Sequence, residues 1–197
     1  MGLPAKKIDQ VYTYRDYASW PEDERWELID GVAWNMSPAP ARRHQKMLGD
    51  VHLVFREYFE GKSCEVYLAP FDVFFPADEN QNMYDVTTVV QPDLSVICDP
   101  NKLIDQGCYG APDLAIEILS PYTMKKDLNE KFRLFERSAV LEYWIVDLGN
   151  RFIRIFKLQE TREYDAGEIF ETGDTALSSH FPGLAVLVDD LIEARSQ

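Results

Sequence analysis

Several rhythms of apolar and polar positions run along this chain. Trp26–Ile29 and Val32–Met36 are β-favouring runs around Asp30-Gly31, and Asp-Gly between such runs predicts a tight hairpin. His44, Met47, Leu48, Val51 and Phe55 recur at helical spacing. They predict an amphipathic helix over residues 41–60, stopped by Gly61. Runs rich in Val, Ile and Leu predict strands at Cys64–Phe75, Asp93–Cys98 and Leu114–Leu119. Between Pro76 and Val86 the residues are polar and read as a loop. A second helix is expected from Asp127, where Asp127-Leu128-Asn129-Glu130 fits a capping box, to about Ser138. Glu142–Asp147 and Phe152–Leu158 read as strands flanking a turn at Gly149-Asn150. A short helix over Tyr14–Trp20, a strand near Glu168–Phe170 and an apolar tail from Leu184 to Ile192 complete the pattern.

Strand, helix and strand across residues 114–147 allow a right-handed βαβ crossover. The fold class expected is therefore mixed α/β, a mixed sheet with helices packed against it and a hairpin at the N-terminal end. No Pro/Gly/Ser-rich linker divides the 197 residues. One domain is expected over residues 11–197, with residues 1–10 as a flexible arm. Lys6 and Lys7 are followed by no apolar run, and no run approaches the roughly 20 residues that span a bilayer. The expected location is the cytoplasm, with no membrane partner.

Cys64, Cys98 and Cys108 match no zinc spacing, and Cys64 and Cys98 read as core thiols. The net charge of −14, from 34 acids and 20 bases, opposes indiscriminate coating of nucleic acid. It leaves room for an enzyme that grips phosphates through a local basic patch and a metal.

Asp93 and Glu117 each sit in a run typical of a buried strand. Burying an ionised carboxylate without a partner is costly, so two acids on neighbouring core strands suggest a shared cation, with a divalent metal as the obvious candidate. Along the second strand, Leu114, Ile116 and Ile118 share one face, and Ala115, Glu117 and Leu119 share the other. Lys131 falls on the apolar stripe Leu128, Lys131, Phe132, Phe135, where an inward lysine could pair with the acids or hold a phosphate oxygen. Glu27, between large apolar neighbours, is a fourth candidate, balanced against a solvent-facing strand position. His44, with Arg42 and Arg43, makes the best local positive patch at the start of a helix, and Lys126 belongs to a second one. Both are candidates for substrate phosphates. Asp147 reads as a turn residue.

Taken together, Glu27-Leu28-Ile29-Asp30-Gly31, Ser37-Pro38 with His44, Gln91-Pro92-Asp93-Leu94, Ile116-Glu117-Ile118-Leu119-Ser120-Pro121, Asp127 with Lys131, and Glu142 to Asp147 resemble the Uma2 family of restriction-endonuclease-like proteins, over about residues 12–192. The resemblance implies the PD-(D/E)XK nuclease fold, a mixed central sheet flanked by helices. It implies a Mg²⁺-dependent endonuclease, with Mn²⁺ as the alternative ion. Asp93 and Glu117 would be the metal ligands, the Ile118 carbonyl a further one, and Glu27 an acid from the N-terminal part. The superfamily lysine usually stands two residues after the second acid; that position is Leu119 here, so Lys131 would supply the amine. The implied partner is nucleic acid, DNA before RNA, and a homodimer follows by analogy. The alternative is a non-catalytic interaction or regulatory module that keeps the nuclease fold.

Overall fold

The computed structural model describes residues 10–21, 24–36 and 41–192. In chain order it contains α1 (Tyr14–Tyr17), the hairpin strands β1 (Trp26–Ile29) and β2 (Val32–Asn35), and the long helix α2 (Arg42–Phe59). Then come β3 (Glu65–Leu68), β4 (Asp72–Phe74), β5 (Val89–Val90), β6 (Leu94–Ile97), β7 (Leu103–Ile104), β8 (Gly107–Tyr109) and β9 (Leu114–Ile118). A π-helical turn over Lys126–Lys131 runs into α3 (Phe132–Arg137). The chain continues through β10 (Glu142–Asp147), β11 (Phe152–Lys157), β12 (Glu168–Glu171), β13 (Thr175–Leu177), β14 (Ala185–Leu187) and α4 (Val188–Ile192). The fold is mixed α/β, as expected, but its strands form two six-stranded sheets and a small β13–β14 pair rather than one sheet. The six-stranded orders are β2-β1-β5-β4-β8-β7 and β12-β11-β10-β9-β6-β3.

The second sheet carries the core. β9 and β10 pair in parallel across the intervening helix, with Glu142 opposite Leu114 and Val146 opposite Ile118. Every residue of both strands is buried, as befits strands covered on both faces. Alternation splits them cleanly. Leu114, Ile116, Ile118, Trp144 and Val146 pack with Met47, Val51 and Phe55 of α2. Ala115, Tyr143 and Ile145 pack with Leu134 and Phe135 of α3, and with Ile29 and Val90 of the first sheet. Glu117 shares that second face, so it points into the layer between the two sheets and α3.

The N-terminal hairpin forms as expected. Asp30 and Gly31 both have positive φ, 52° and 75°, which fits the tight turn that Asp-Gly favours. Cys64–Phe75 is not one strand. Pro70 cannot donate to a ladder, and the chain breaks there, β3 joining one sheet and β4 the other. Within the expected loop after Pro76, Met83–Asp85 forms a 3₁₀ turn and Val86 is fully buried.

Cys64 and Cys98 are not separate core thiols; they form a disulfide. The reason lies in register: Glu65 of β3 stands opposite Ile97 of β6, so the next residues outward face each other, with Cα atoms 3.9 Å apart. Cys108 is the free, buried cysteine, and burial pushes its thiol up to about 12. The expected N-terminal arm lies outside the described residues, apart from Gln10. Among the described residues no helix is long and apolar enough to cross a membrane.

Candidate active site

A cavity of about 450 Å³ opens where the N-terminal end of α2, the entry to β6, the end of β9 and the π-turn converge. Asp93, Glu117, His44, Lys126 and Lys131 all line it. Five of the six candidate residues thus line one cavity, although they come from four separate stretches of chain. Glu27, the sixth, stands behind the lysines rather than on the wall.

Asp93 immediately precedes β6. Its Oδ2 accepts the Ile118 backbone N–H at 2.8 Å and lies 3.1 Å from His44 Nε2. These contacts fix the carboxylate across the sheet from Glu117. His44 is therefore not a free phosphate grip; its ring is turned onto Asp93. Burial alone would lower the His44 pKa, but the bond and charge of Asp93 outweigh it and raise the value above 6.5. Its Nδ1 is buried without a partner among the described residues.

Glu117 accepts from Lys131 Nζ at 2.5 Å. The same ammonium reaches Glu27 Oε1 at 2.8 Å and stands 3.9 Å from Asp127 Oδ1. Glu27, fully buried on β1, also takes the Gln91 backbone N–H at 2.7 Å and an ion pair from Lys126. Lys126, expected just before the helix in a basic cluster that contacts phosphates or is simply exposed, is buried within the helix itself.

The π-turn explains how. In an α-helix, residues five apart point about 140° away from each other. The wider i→i+5 turn brings Lys126 and Lys131 to the same side, with Asp127 inward between them. The helix starts at Met124, three residues before the expected capping box, so Asp127 is an interior residue and Leu128 is turned outward, 40% exposed.

Charges in this cluster do not balance. Glu27, Glu117 and Asp127 face two ammonium groups, Lys126 and Lys131. Burial would raise Glu27, but both lysines hold it down to about 2. Burial raises Glu117 well above the carboxylate range against the pull of Lys131, with Asp127, Asp93 and Glu27 adding to the rise. Burial likewise raises Asp127 to about 6. Thr123 and Lys131 approach Asp127, yet neither carboxylate oxygen closes a hydrogen bond among the described residues. Burial opposes the charge on Lys131, but Glu117, Glu27 and Asp127 together keep its proton well above the ordinary lysine value.

Two further acids are structural. Asp147 Oδ1 accepts from the backbone of Gly149 and Asn150, as a turn residue should. Glu142, which nothing in the spacing singled out, is buried and accepts from Trp144 Nε1, the Ser178 hydroxyl, the Ser179 backbone and hydroxyl, and the His180 backbone.

The whole arrangement has relatives. A crystal structure described as a putative nuclease belonging to DUF820 from Anabaena variabilis ATCC 29413 superposes with a TM-score of 0.72 at 19% identity, covering 91% of this chain and 97% of that one. At that identity the likeness establishes the fold. The uncharacterized protein slr1290 from Synechocystis sp. (strain ATCC 27184 / PCC 6803 / Kazusa) is 26% identical over 133 residues, 66% of this chain. The match spans 65% of that relative's length. The family named Uma2, described as Putative restriction endonuclease, matches residues 14–189. That span takes in both sheets and every residue of the charged cluster, and the chain belongs to the Uma2 family.

Proposed function

We propose that the protein is a divalent-metal-dependent phosphodiesterase acting on nucleic acid, with DNA as the substrate. The observation that carries this reading is the surplus of buried carboxylate over ammonium beside Asp93, at a cavity wall. Such a surplus attracts a cation, and it sits where a phosphate could reach it.

The donor chemistry fits. Asp93 Oδ1 and Glu117 Oε2 accept no hydrogen bond among the described residues, and both side chains line the cavity. No group of three His, Cys, Asp or Glu among the described residues is placed to enclose a metal. The two free carboxylate oxygens are the donors that suit Mg²⁺, or Mn²⁺ in its place, since Mg²⁺ is held by one or two carboxylates and completes its shell with water and substrate phosphate. Asp93 and Glu117 would hold the ion, which when bound supplies polarisation of a phosphoryl oxygen and a more acidic water.

The remaining roles belong to the chain's own residues. Lys131 keeps its proton, so it serves as a donor and not as a base. It stabilises negative charge developing on the phosphate or orients the attacking water. Glu27 holds Lys131 and Lys126 from behind and fixes the direction of both ammonium groups. His44 and the Ile118 N–H fix the Asp93 carboxylate.

Cleavage of a labelled DNA with Mg²⁺ or Mn²⁺ tests the reading. Asp93→Ala and Glu117→Ala should each lose about 100-fold or more, beyond the 10–100-fold typical of residues that only support a metal ligand. Equal activity in wild type and both variants would overturn it. One observation favours a second reading, a non-catalytic module: Lys131 already pairs with Glu117, and His44 with Asp93, so the network can close without a metal. A rise in melting temperature with millimolar Mg²⁺ or Mn²⁺ in wild type, absent in Asp93→Ala, would exclude that module.

A further inference from the structure

Cations lining the cavity divide into two kinds. Lys126, Lys131 and His44 are each committed to a carboxylate. Arg25 and Arg43 also line the cavity, and neither forms an ion pair among the described residues. We propose that these two arginines are the phosphate clamp that receives the nucleic-acid backbone. The proposal rests on the nucleic-acid reading above and replaces His44 and Lys126 as the expected phosphate contacts.

Arg25 enters from the first sheet, one residue before β1. Its backbone is fixed by the Met36 N–H, which donates to its carbonyl at 2.9 Å. Of the five N–H donors of a guanidinium, one is engaged: Nη2 donates to Gln91 Oε1 at 2.8 Å. Nε is buried and has no partner among the described residues. A buried donor without an acceptor is a cost the fold carries until an acceptor arrives.

Gln91 matters because it is neutral. Its Nε2 donates to Asp72 Oδ1 at 2.8 Å, while its Oε1 takes the arginine. Burial raises the Asp72 carboxyl and the Arg25 charge partly offsets that rise, but hydrogen bonding between the two runs only through the amide, so Arg25 closes no ion pair among the described residues. The backbone N–H of the same Gln91 donates to Glu27, so Arg25 is coupled by one residue to the carboxylate that holds both lysines.

Arg43 lines the same cavity from the first turn of α2. It is solvent-exposed and neighbours His44, whose ring turns to Asp93. A phosphodiester entering the cavity would meet one guanidinium from the residue before β1 and one from α2, in the same cavity as Asp93 and Glu117. Guanidinium is the group suited to this task, since its planar fork matches two phosphate oxygens. The clamp also gives a chain of net charge −14 a local positive site for a nucleic-acid partner, since two arginines stand at one cavity.

The test uses the full chain, a fluorescein-labelled DNA duplex and its single strand, and anisotropy in EDTA, where no metal is present and nothing is cleaved. Affinity is measured over a series of salt concentrations. Arg25→Gln should weaken binding about tenfold, and each of Arg25→Gln and Arg43→Gln should reduce the slope of log K against log salt by about one. Arg25→Lys should keep the slope and lose part of the affinity, because the charge remains and the fork does not. Arg133→Gln, which removes the same charge from an exposed position outside the cavity, should change neither. The clamp is overturned if wild type does not bind in low salt, if Arg25→Gln binds as wild type with the same slope, or if Arg133→Gln matches it. Arginine-dependent binding without Mg²⁺-dependent cleavage would overturn the catalytic reading and leave the clamp standing. Cleavage with an unchanged slope would do the reverse.

Discussion

Replacing Asp127 by Asn should make the protein more stable at neutral pH, although it removes a charge beside a lysine. Asp127 is 1% exposed, and its carboxyl is raised from 3.8 to about 6, chiefly by burial. The folded state therefore holds this proton more tightly than the unfolded chain. Between pH 3.8 and 6 the folded state binds more protons, so stability falls as pH rises, and the loss is complete above 6. At about 1.4 kcal/mol per pH unit the penalty is roughly 3 kcal/mol, about half of it already present at pH 5. An amide mimics the protonated carboxyl and carries no such penalty. Asp127→Asn should thus gain up to roughly 3 kcal/mol at pH 8, roughly 6–12 °C in melting temperature for a chain of this size. The gain should shrink towards zero near pH 4. Urea unfolding of both proteins at pH 5 and pH 8 checks this. A variant less stable than wild type at pH 8, or a gain equal at both pH values, would refute the charge accounting of the cluster.

Three other outcomes follow from the same structure. Glu142→Gln should cost about 3 kcal/mol or more in urea unfolding, because its carboxylate accepts five hydrogen bonds and an amide NH₂ would face donors; a loss under 1 kcal/mol would contradict that geometry. Thiol titration of the unfolded chain should find one free cysteine without reductant and three with it. Reduction should cost roughly 3–4 kcal/mol, the chain-entropy value for a separation of 34 residues, and no change on reduction would argue against the Cys64–Cys98 link. Asp93→Asn should lower the His44 pKa below its wild-type value, since burial would then act with less opposition, and NMR titration of the imidazole reads this directly; an unchanged value would detach His44 from Asp93.

Much of the fold was legible where a local pattern has one solution. Asp30-Gly31 sets its hairpin whatever surrounds it, and the alternation along Leu114–Leu119 correctly placed Glu117 on the face opposite Ile116. Asp93 and Glu117 stood out because carboxylates are rare in apolar runs. What escaped depends on partners distant in sequence. Lys126 read as a phosphate contact or an exposed lysine because its acid, Glu27, lies 99 residues away on another sheet. Cys64 and Cys98 looked like separate thiols because their pairing depends on the register of β3 against β6. Asp127 looked like a helix cap because Asp–Leu–Asn–Glu has the right spacing, yet the helix had begun at Met124. Arg25 gave no signal: an arginine before a strand acquires meaning only when the cavity shows which cations are already spent.

The π-turn makes the site depend on phase as well as on composition. Leu128 is directed outward, so its side chain contributes little to the core. Deleting it would turn the π-turn into an ordinary α-helical turn in which Lys126 and Lys131, then four apart, still share a face. Every functional side chain would still be encoded, and both ammonium groups would still face Glu27. An added residue is the drastic change, because lysines six apart diverge by about 120° in an α-helix, so an upper limit on chain length between Met124 and Phe132 becomes a functional trait in its own right.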